Sequence, residues 1–285
     1  MDRERSATKV GLANMESFES LPYLKGDIQV HYEGSIDKRG ANADWDWWLY
    51  QDENGEWVIF DVDGPGCIYN FVQHRYPTSE EPTFKFYFDG EKEPRFTIRH
   101  SEFGEKYPFI EPLASRYIGP TDNGRGPIRV VRSFVPMPFK KSCKVTSTVK
   151  LKGYSKAEGD GGWGHIIYHT YAAADGVETF TGNENYEKLI NLWKNVGADP
   201  KDTKGNEIIV QAPFDIGPGE SRTIFERVGQ GSIAALKLQV QNFTREHLKD
   251  VWIRIHWDGH KRADVYCPIG AFFGNELGYN NIIYK

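Results

Sequence analysis

The sequence predicts an all-β fold made of two related antiparallel β-sandwich modules in tandem, the second incomplete, with one helix between them. Three observations lead there. Turn-forming clusters recur about every 8 to 15 residues between alternating segments, which favours an antiparallel sandwich over a doubly wound α/β fold. A series of landmarks then appears twice in the same order. Gly55-Glu56, Ile59-Phe60, Gly64-Pro65-Gly66-Cys67-Ile68, Phe88-Asp89-Gly90 and Ser101-Glu102-Phe103-Gly104 return as Gly219-Glu220, Ile224-Phe225, Gly229-Gln230-Gly231-Ser232-Ile233, Trp257-Asp258-Gly259 and Ala271-Phe272-Phe273-Gly274. The offset stays between 164 (Gly55 to Gly219) and 170 (Phe103 to Phe273) residues, the signature of a duplicated module. Finally, the first copy runs on for roughly eighty residues past its Asp-Gly turn, whereas 26 residues, His260 to Lys285, follow the second. The second module is therefore expected to be incomplete, to be finished by another chain, or to belong to a longer protein.

The elements follow in order. The polar segment up to about residue 27 contains Met15 to Tyr23, read as a short helix. Trp57 to Val62 is a strand stopped by Asp63-Gly64-Pro65-Gly66, and Cys67 to His74 is the next. Thr83 to Phe88 alternates in period two, Asp89-Gly90 supplies a hairpin turn, and Arg95 to Arg99 pairs back. Ile128 to Val135, Cys143 to Leu151 and His165 to Tyr171 complete the run of strands. Tyr186 to Val196 groups Leu189, Ile190, Leu192, Trp193 and Val196 on one helical face, with Asn183 or Asn185 to cap its start and Gly197 to end it. Ile208 to Phe214 opens the second module, in which Leu236 to Val240 and Val251 to Ile255 alternate like strands. The resulting division is a first module at 28–172, a helical linker at 173–207 and a partial second module at 208–285.

At 285 residues the chain has room for two domains, and its hydrophobic content of 39% is enough for sandwich cores. Net charge is −5 with the signs interspersed, so no basic surface for nucleic acid is expected. Lys140, Lys141 and Lys144 read as a solvated strand face. No apolar run reaches membrane-spanning length. The start, Met1-Asp2-Arg3-Glu4-Arg5, lacks the apolar segment of a secretion signal, and a cytoplasmic protein is expected. Cys67, Cys143 and Cys267 are widely spaced, without metal-type spacing, and read as buried reduced thiols.

Several constellations can be weighed for chemistry. His165 and His169 have a His-x-x-x-His spacing, but no Glu follows the first. In a strand the two rings stand about 13 Å apart, so they are read as unrelated. His256 and His260 bracket the second Asp-Gly turn and are missing from the first, which makes Asp89 and Asp258 turn residues rather than ligands. Gly159 to Gly164 is glycine-rich but opens no helix, and it is read as a flexible connection. No dinucleotide, phosphate-loop or nucleophile-elbow pattern occurs, and no cofactor or metal is expected. Glu102 and Glu276 each neighbour a Phe-Gly step and read as surface positions or pocket carboxylates. The densest cluster is Asn42, Asp44, Trp45, Asp46, Trp47 and Trp48. Amide and carboxylate groups beside indoles are what a sugar site needs, hydrogen bonds for hydroxyls and an apolar platform for the ring. A turn followed by an aromatic edge strand accounts for the same spacing equally well.

Asp37-x-x-Gly-x-Asn42-x-Asp44, Asp63-Gly64-Pro65-Gly66-Cys67-Ile68, Phe88-Asp89-Gly90-Glu91-x-x-Pro94, Pro136 to Ser142 and Phe272 to Gly278 form an ordered set spanning residues 35 to 285. In this set the chain resembles glycoside hydrolase family 172, long catalogued as domain-of-unknown-function family 2961. The resemblance implies tandem jelly rolls assembling as trimers or their multiples. It further implies retaining hydrolysis of fructo- or arabinofuranosides by two glutamates. Substrate contacts would fall on Asn42, Asp44, Trp45, Trp47 and Trp48. The family's later Gly-Thr-Glu-Asp-Tyr-Phe motif is absent, with Thr181-Gly182-Asn183-Glu184-Asn185-Tyr186 as its faint echo. Neither catalytic glutamate is thereby assigned. The expected protein is a furanoside hydrolase whose acidic pair lies elsewhere, or a carbohydrate-binding or oligomer-building jelly roll without catalysis.

Overall fold

The computed structural model describes residues 8–18, 20–21, 25–76, 80–121, 126–153, 161–195, 198–200, 210 and 213–275. The chain divides into two compact units, Met1–Lys194 and Asn195–Lys285.

In the first unit the strands are β1 (Ile28–Gly34), β2 (Tyr50–Gln51), β3 (Trp57–Asp63), β4 (Gly66–Arg75), β5 (Thr83–Phe88), β6 (Phe96–Arg99), β7 (Glu105–Lys106), β8 (Phe109–Ile110), β9 (Ala114–Thr121), β10 (Pro127–Ser133), β11 (Met137–Phe139), β12 (Ser142–Ser147) and β13 (Gly164–Tyr171). They form two antiparallel sheets. One has the order β1-β13-β4-β10-β9, with β11 also on β4, and the other has the order β2-β3-β12-β5-β6. Lettering the eight principal strands B to I (β1, β3, β4, β5, β6, β10, β12 and β13) turns these orders into B-I-D-G and C-H-E-F. That is the jelly-roll arrangement of two Greek keys, so the expected fold class holds for this unit.

Strand β5 shows why the sheets face each other. Phe84, Phe86 and Phe88 alternate inward and are fully buried, while Lys85 and Tyr87 point outward to the Glu56 carboxylate. The inward phenylalanines meet Phe71, Phe103, Phe109, Phe139 and Phe180 in one aromatic core. Phe71 and Phe103 stack at 5.6 Å, and Phe71 meets Phe84 edge-on at 4.9 Å, both favourable ring geometries. Cys67 and Cys143 are buried in this unit, and burial drives both thiols above their ordinary range. Cys267, in the second unit, is only half-buried, which departs from the expectation for all three.

The helices depart from the sequence reading in place more than in kind. The short N-terminal helix, α1, is Leu12–Met15 rather than Met15 to Tyr23. It begins after Gly11, whose N–H is held by the Tyr69 hydroxyl at 2.9 Å. Helix α2 is Glu187–Lys194. Asn185 Oδ1 accepts from the Glu187 N–H at 2.9 Å, a side-chain cap of the expected type. Leu189 is its buried residue, and Gly197 lies outside the described residues.

The second unit contains α3 (His247–Asp250), β14 (Trp252–Ile255), β15 (Val265–Pro268) and α4 (Ile269–Phe272). The β14–β15 hairpin repeats β5–β6 residue for residue. Thr83 pairs with Arg99 and Phe84 with Ile98, and 169 positions on Trp252 pairs with Pro268 and Ile253 with Cys267. The turns match as well, Asp89 and Asp258 having φ of 54° and 49°, and Gly90 and Gly259 having φ of 85° and 74°. The left-handed region is one that Asp tolerates and Gly enters freely. A helical turn follows in both copies, His100–Glu102 in the first and α4 in the second. The expected strand at Leu236 to Val240 does not form. Among the described residues, β14 and β15 are the paired strands of this unit, and Val228 stands 95% exposed. No described helix is long and apolar enough to cross a membrane.

Candidate functional site

Between β1 and β2 the chain passes in irregular conformation from the edge strand of one sheet to the edge strand of the other, and this crossing holds the Asn42–Trp48 cluster. Its first half is organised by Asp37. The carboxylate accepts from the Arg39 N–H at 3.0 Å, from the Arg39 guanidinium at 3.0 and 3.2 Å, and from the Ala43 N–H at 3.0 Å. Gly40 closes the turn with its N–H on the Asp37 carbonyl and a φ of 74°. The Arg39 hydrogen bonds hold the Asp37 acid well below the usual carboxylate range, at about 2. A carboxylate so fully committed accepts and orients; it is a poor proton donor.

The second half is clamped by the glycine-rich segment. A Cβ on Gly162 would lie 1.3 Å from the Trp45 carbonyl oxygen, and one on Gly164 would lie 2.4 Å from the Trp47 ring. Only glycine permits these approaches, so the described part of this segment is a tight seat, not the flexible connection expected. Residues 154–160 lie outside the described residues. The Trp47 N–H donates to the Leu151 carbonyl at 2.8 Å, and the Gly153 N–H donates to Asp46 Oδ1 at 3.0 Å.

The sequence candidates separate here. Trp47 is 1% exposed, its indole N–H donates to the Ile59 carbonyl at 3.1 Å, and its ring meets Phe71 at 5.8 Å. It is a core side chain that backs the site. Trp48 is 38% exposed and meets Trp57 edge-on at 5.5 Å. The Lys150 ammonium sits 3.7 Å from the Trp48 ring centre and 4.3 Å from that of Trp57, a cation–π cage. Trp45 is half-buried, and Asn42 and Asp44 are exposed. Glu33, Gly34, Ile36, the Asp37–Arg39 turn, Ala43 and the run Trp45–Leu49 line a cleft of ≈ 510 Å³. Trp45, Trp47 and Trp48 are thus brought together, while Asn42 and Asp44 are outside the lining. Asp44 is near enough to Tyr32 to add to the raising of its phenol, which burial begins.

Glu33, Arg39 and Lys150 were not singled out by the sequence reading. Glu33 is the next-to-last residue of a strand it did not assign, and Lys150, just past β12, meets a ring that lies about a hundred positions earlier in the chain. The cleft offers carboxylates, cations and indole surface, a combination suited to a neutral polyhydroxylated ligand.

The other carboxylates considered are structural or undescribed. Glu102 accepts from the Arg99 N–H at 2.7 Å and lies 3.5 Å from Lys106, and the Arg99 bond leads in holding its acid below the ordinary range. Glu184 folds back onto the Thr181 hydroxyl at 3.0 Å and the Gly182 N–H at 3.0 Å. Glu276 lies outside the described residues. His165 bonds Asn70 at 3.0 Å, and His169 lies against Tyr69 at 4.6 Å, so the two strand histidines serve separate partners. His260 pairs with Asp264 at 2.7 Å, which raises the imidazole above its ordinary range. Among the described residues no cluster of His, Cys, Asp and Glu could hold a metal.

Comparison with known families gives two matches. The model of the GH172 first beta-sandwich domain matches residues 26–188, and the GH172 domain-like model matches residues 206–284. No curated protein matches the chain.

Proposed function

This chain belongs to the GH172 family, and from that membership we propose that it serves a glycoside hydrolase acting on fructo- or arabinofuranosides, with the Asp37–Trp48 cleft as part of its sugar site. The family match across most of the chain is the observation that carries the reading. The cleft supports it through chemistry. Trp48 and Trp45 present indole surface, Asp46 and Glu33 can accept hydroxyl hydrogen bonds, and Asp37 fixes the loop that carries them. A retaining furanosidase needs two carboxyl groups about 5 Å apart, one attacking the anomeric carbon and one protonating the leaving oxygen. We assign neither here. In this reading the pair comes from residues outside those described or from a neighbouring subunit of a trimer.

The engagement of Glu102 and Glu184 in local hydrogen bonds favours a second reading, a carbohydrate-binding jelly roll without catalysis. Aryl α-furanosides incubated with the purified chain distinguish the two. Release of aglycone that falls when Trp48 is replaced by alanine supports the hydrolase. Furanoside binding without release at any protein concentration supports the binding module. Absence of both binding and release removes the sugar site.

A further inference from the structure

An aromatic platform adjoins the cleft. Strand β1 ends at the cleft wall, which Glu33 and Gly34 help to line. Gly34 is opposite His165 in the register of β1 on β13, and Tyr32 is opposite Ile167. Directly opposed residues share a face, as do residues two apart on a strand, so Tyr32, Gly34, His165 and Ile167 lie on one side of the sheet. Ile166 and Phe71, paired with each other, are in the core on the other side, so Tyr32 is on the outer face. Gly34 puts no side chain opposite His165, and the Tyr32 ring leans across the diagonal into that space. Diagonal neighbours are about 7–8 Å apart, within reach of an aromatic side chain. The two rings stack at 5.4 Å with 24° between their planes. A Cβ on Gly34 would lie 2.9 Å from the Tyr32 hydroxyl oxygen and 2.8 Å from His165 Cβ. The phenol therefore lies over a residue of the cleft wall.

This platform is fixed on one side and open on the other. The Asn70 amide nitrogen donates to the Ser133 carbonyl at 3.4 Å, which turns Asn70 Oδ1 toward His165 Nε2 at 3.0 Å. Nε2 is thus the donor, and the imidazole orientation is set. Burial lowers the acid of His165, so the plate behind Tyr32 is uncharged at neutral pH. Tyr32 is 50% exposed although one face of its ring rests on that plate. Its hydroxyl has no hydrogen-bond partner among the described residues. Asp44 is exposed as well, and its carboxylate accepts no hydrogen bond among those residues. Burial, then the charges of Asp44 and Glu33, raise the phenol above its ordinary range, so a hydroxyl donor stands near a carboxylate acceptor.

A ring with one backed face and one open face, beside a hydroxyl and a carboxylate, repeats at the edge of the cleft the chemistry of its interior. We propose that Tyr32, seated on His165, forms a second sugar subsite, which carries the glycosyl unit next to the one held in the Asp37–Trp48 cleft and bonds its hydroxyls through Asp44 and the Tyr32 hydroxyl. The proposal rests on the reading of that cleft as a sugar site. It makes the preferred ligand a chain of two or more furanosyl units, and it gives Asp44, which is outside the cleft lining, a place beside the second unit.

Titration calorimetry on the full chain tests this with methyl α-arabinofuranoside and methyl fructofuranoside, each compared with the corresponding furanosyl disaccharide; where a glycoside is cleaved, the comparison is read from kcat/KM. In the series that binds, the disaccharide should be favoured about tenfold, the size expected of one ring contact with one hydrogen bond. Tyr32→Val keeps a β-forming residue on the edge strand and removes the ring, and it should bring this ratio close to one. Tyr32→Phe keeps the ring and should leave the ratio several-fold. Trp48→Ala, inside the cleft, should weaken both ligands and leave the ratio in place. Asp44→Asn, a change at an exposed loop position, should also lower the ratio, and it carries the test if Tyr32→Val fails to fold. A wild-type ratio of one, or a ratio that Tyr32→Val and Asp44→Asn leave unchanged, overturns the subsite, while binding of the methyl furanoside still upholds the cleft. Absence of binding by every furanoside overturns the reading of the cleft and the subsite with it. Dissociation of an oligomer by Tyr32→Val with the ratio unmoved assigns the ring to a contact between copies and likewise overturns the proposal.

Discussion

Replacing Gly162 by alanine should dislodge the Trp45–Trp48 segment while leaving the sandwich folded. The new Cβ would lie 1.3 Å from the Trp45 carbonyl oxygen, 2.4 Å from its carbon and 3.2 Å from the Asp46 nitrogen. All three are main-chain atoms, so no side chain can swing aside. Restoring ordinary van der Waals separation demands a shift of roughly 2 Å, and overpacking of this kind costs about 1–3 kcal/mol. The same shift pulls on the Trp47 N–H to Leu151 bond (2.8 Å) and the Gly153 N–H to Asp46 bond (3.0 Å), each worth about 1 kcal/mol. The sum is roughly 3–5 kcal/mol, a large part of the ~5–15 kcal/mol that holds a domain together. Urea unfolding of the variant should show a much lower midpoint with an unchanged slope, and quenching by acrylamide should report newly exposed indole. Gly26→Ala is the control, since nothing lies within 4 Å of its Cβ and its φ is not positive. It should be neutral or slightly stabilising. A Gly162→Ala midpoint equal to that of Gly26→Ala would refute the clamp, because the segment would then move without cost.

Three further outcomes are expected. Asp37 has a folded acid at about 2, below its ordinary 3.8, chiefly through its hydrogen bonds from Arg39, so its stabilisation is complete above about pH 4 and is lost as pH falls toward 2; Asp37→Asn should flatten the acid limb of a stability–pH curve in that window. Glu102→Gln should cost about 1 kcal/mol in urea unfolding through its bonds to Arg99 and should leave any furanoside turnover unchanged. Asp89→Ala should destabilise by roughly 2–4 kcal/mol, because its carboxylate accepts from the Lys141 N–H (2.6 Å) and the Ser142 N–H (3.3 Å) and from the Thr179 hydroxyl. Asp258→Ala in the equivalent turn should cost well under that in the same unfolding assay, as no such bonds are made there among the described residues.

The sequence made local pairing readable and distant pairing opaque. The pairing of Thr83–Phe88 with Phe96–Arg99 was visible because the alternation of Phe84, Phe86 and Phe88 meets an Asp-Gly turn, and every partner lies within a few residues of that turn. Strand β1 was missed. Its burial pattern is irregular and it pairs with β13, so Ile28 finds Tyr171, and nothing near it in sequence marks the partner. The candidate site divides in the same way. The Trp45–Trp48 cluster was legible as a concentration of indoles, but which indole faces the core depends on Gly164 and Ile59. The Tyr32–His165 platform was invisible, since the two rings meet only through the register of β1 on β13.

Partner position in the chain also explains why, among the described residues of the second unit, it is the β14–β15 hairpin that repeats with full register. In the first jelly roll, strand β3 pairs with β12, and β4 pairs with β13 and β10; each partner comes later in the chain by more than fifty residues. Strands β5 and β6 are different. They pair with each other across a tight turn, and closing a short loop costs little entropy. An offset of 169 residues carries β5 and β6 onto β14 and β15, whereas it would carry β9, which begins at Ala114, to position 283, outside the described residues. The segments equivalent to β3 and β4 thus meet no late strand among the described residues, and they remain unpaired with Ile224, Phe225 and Ile233 exposed. Alternating apolar residues specify which face of a strand is buried, but a strand exists only where a second row of N–H and C=O groups is present to satisfy it. Leu236 to Val240 carries the pattern of a central jelly-roll strand, and partner availability rather than propensity decides its state.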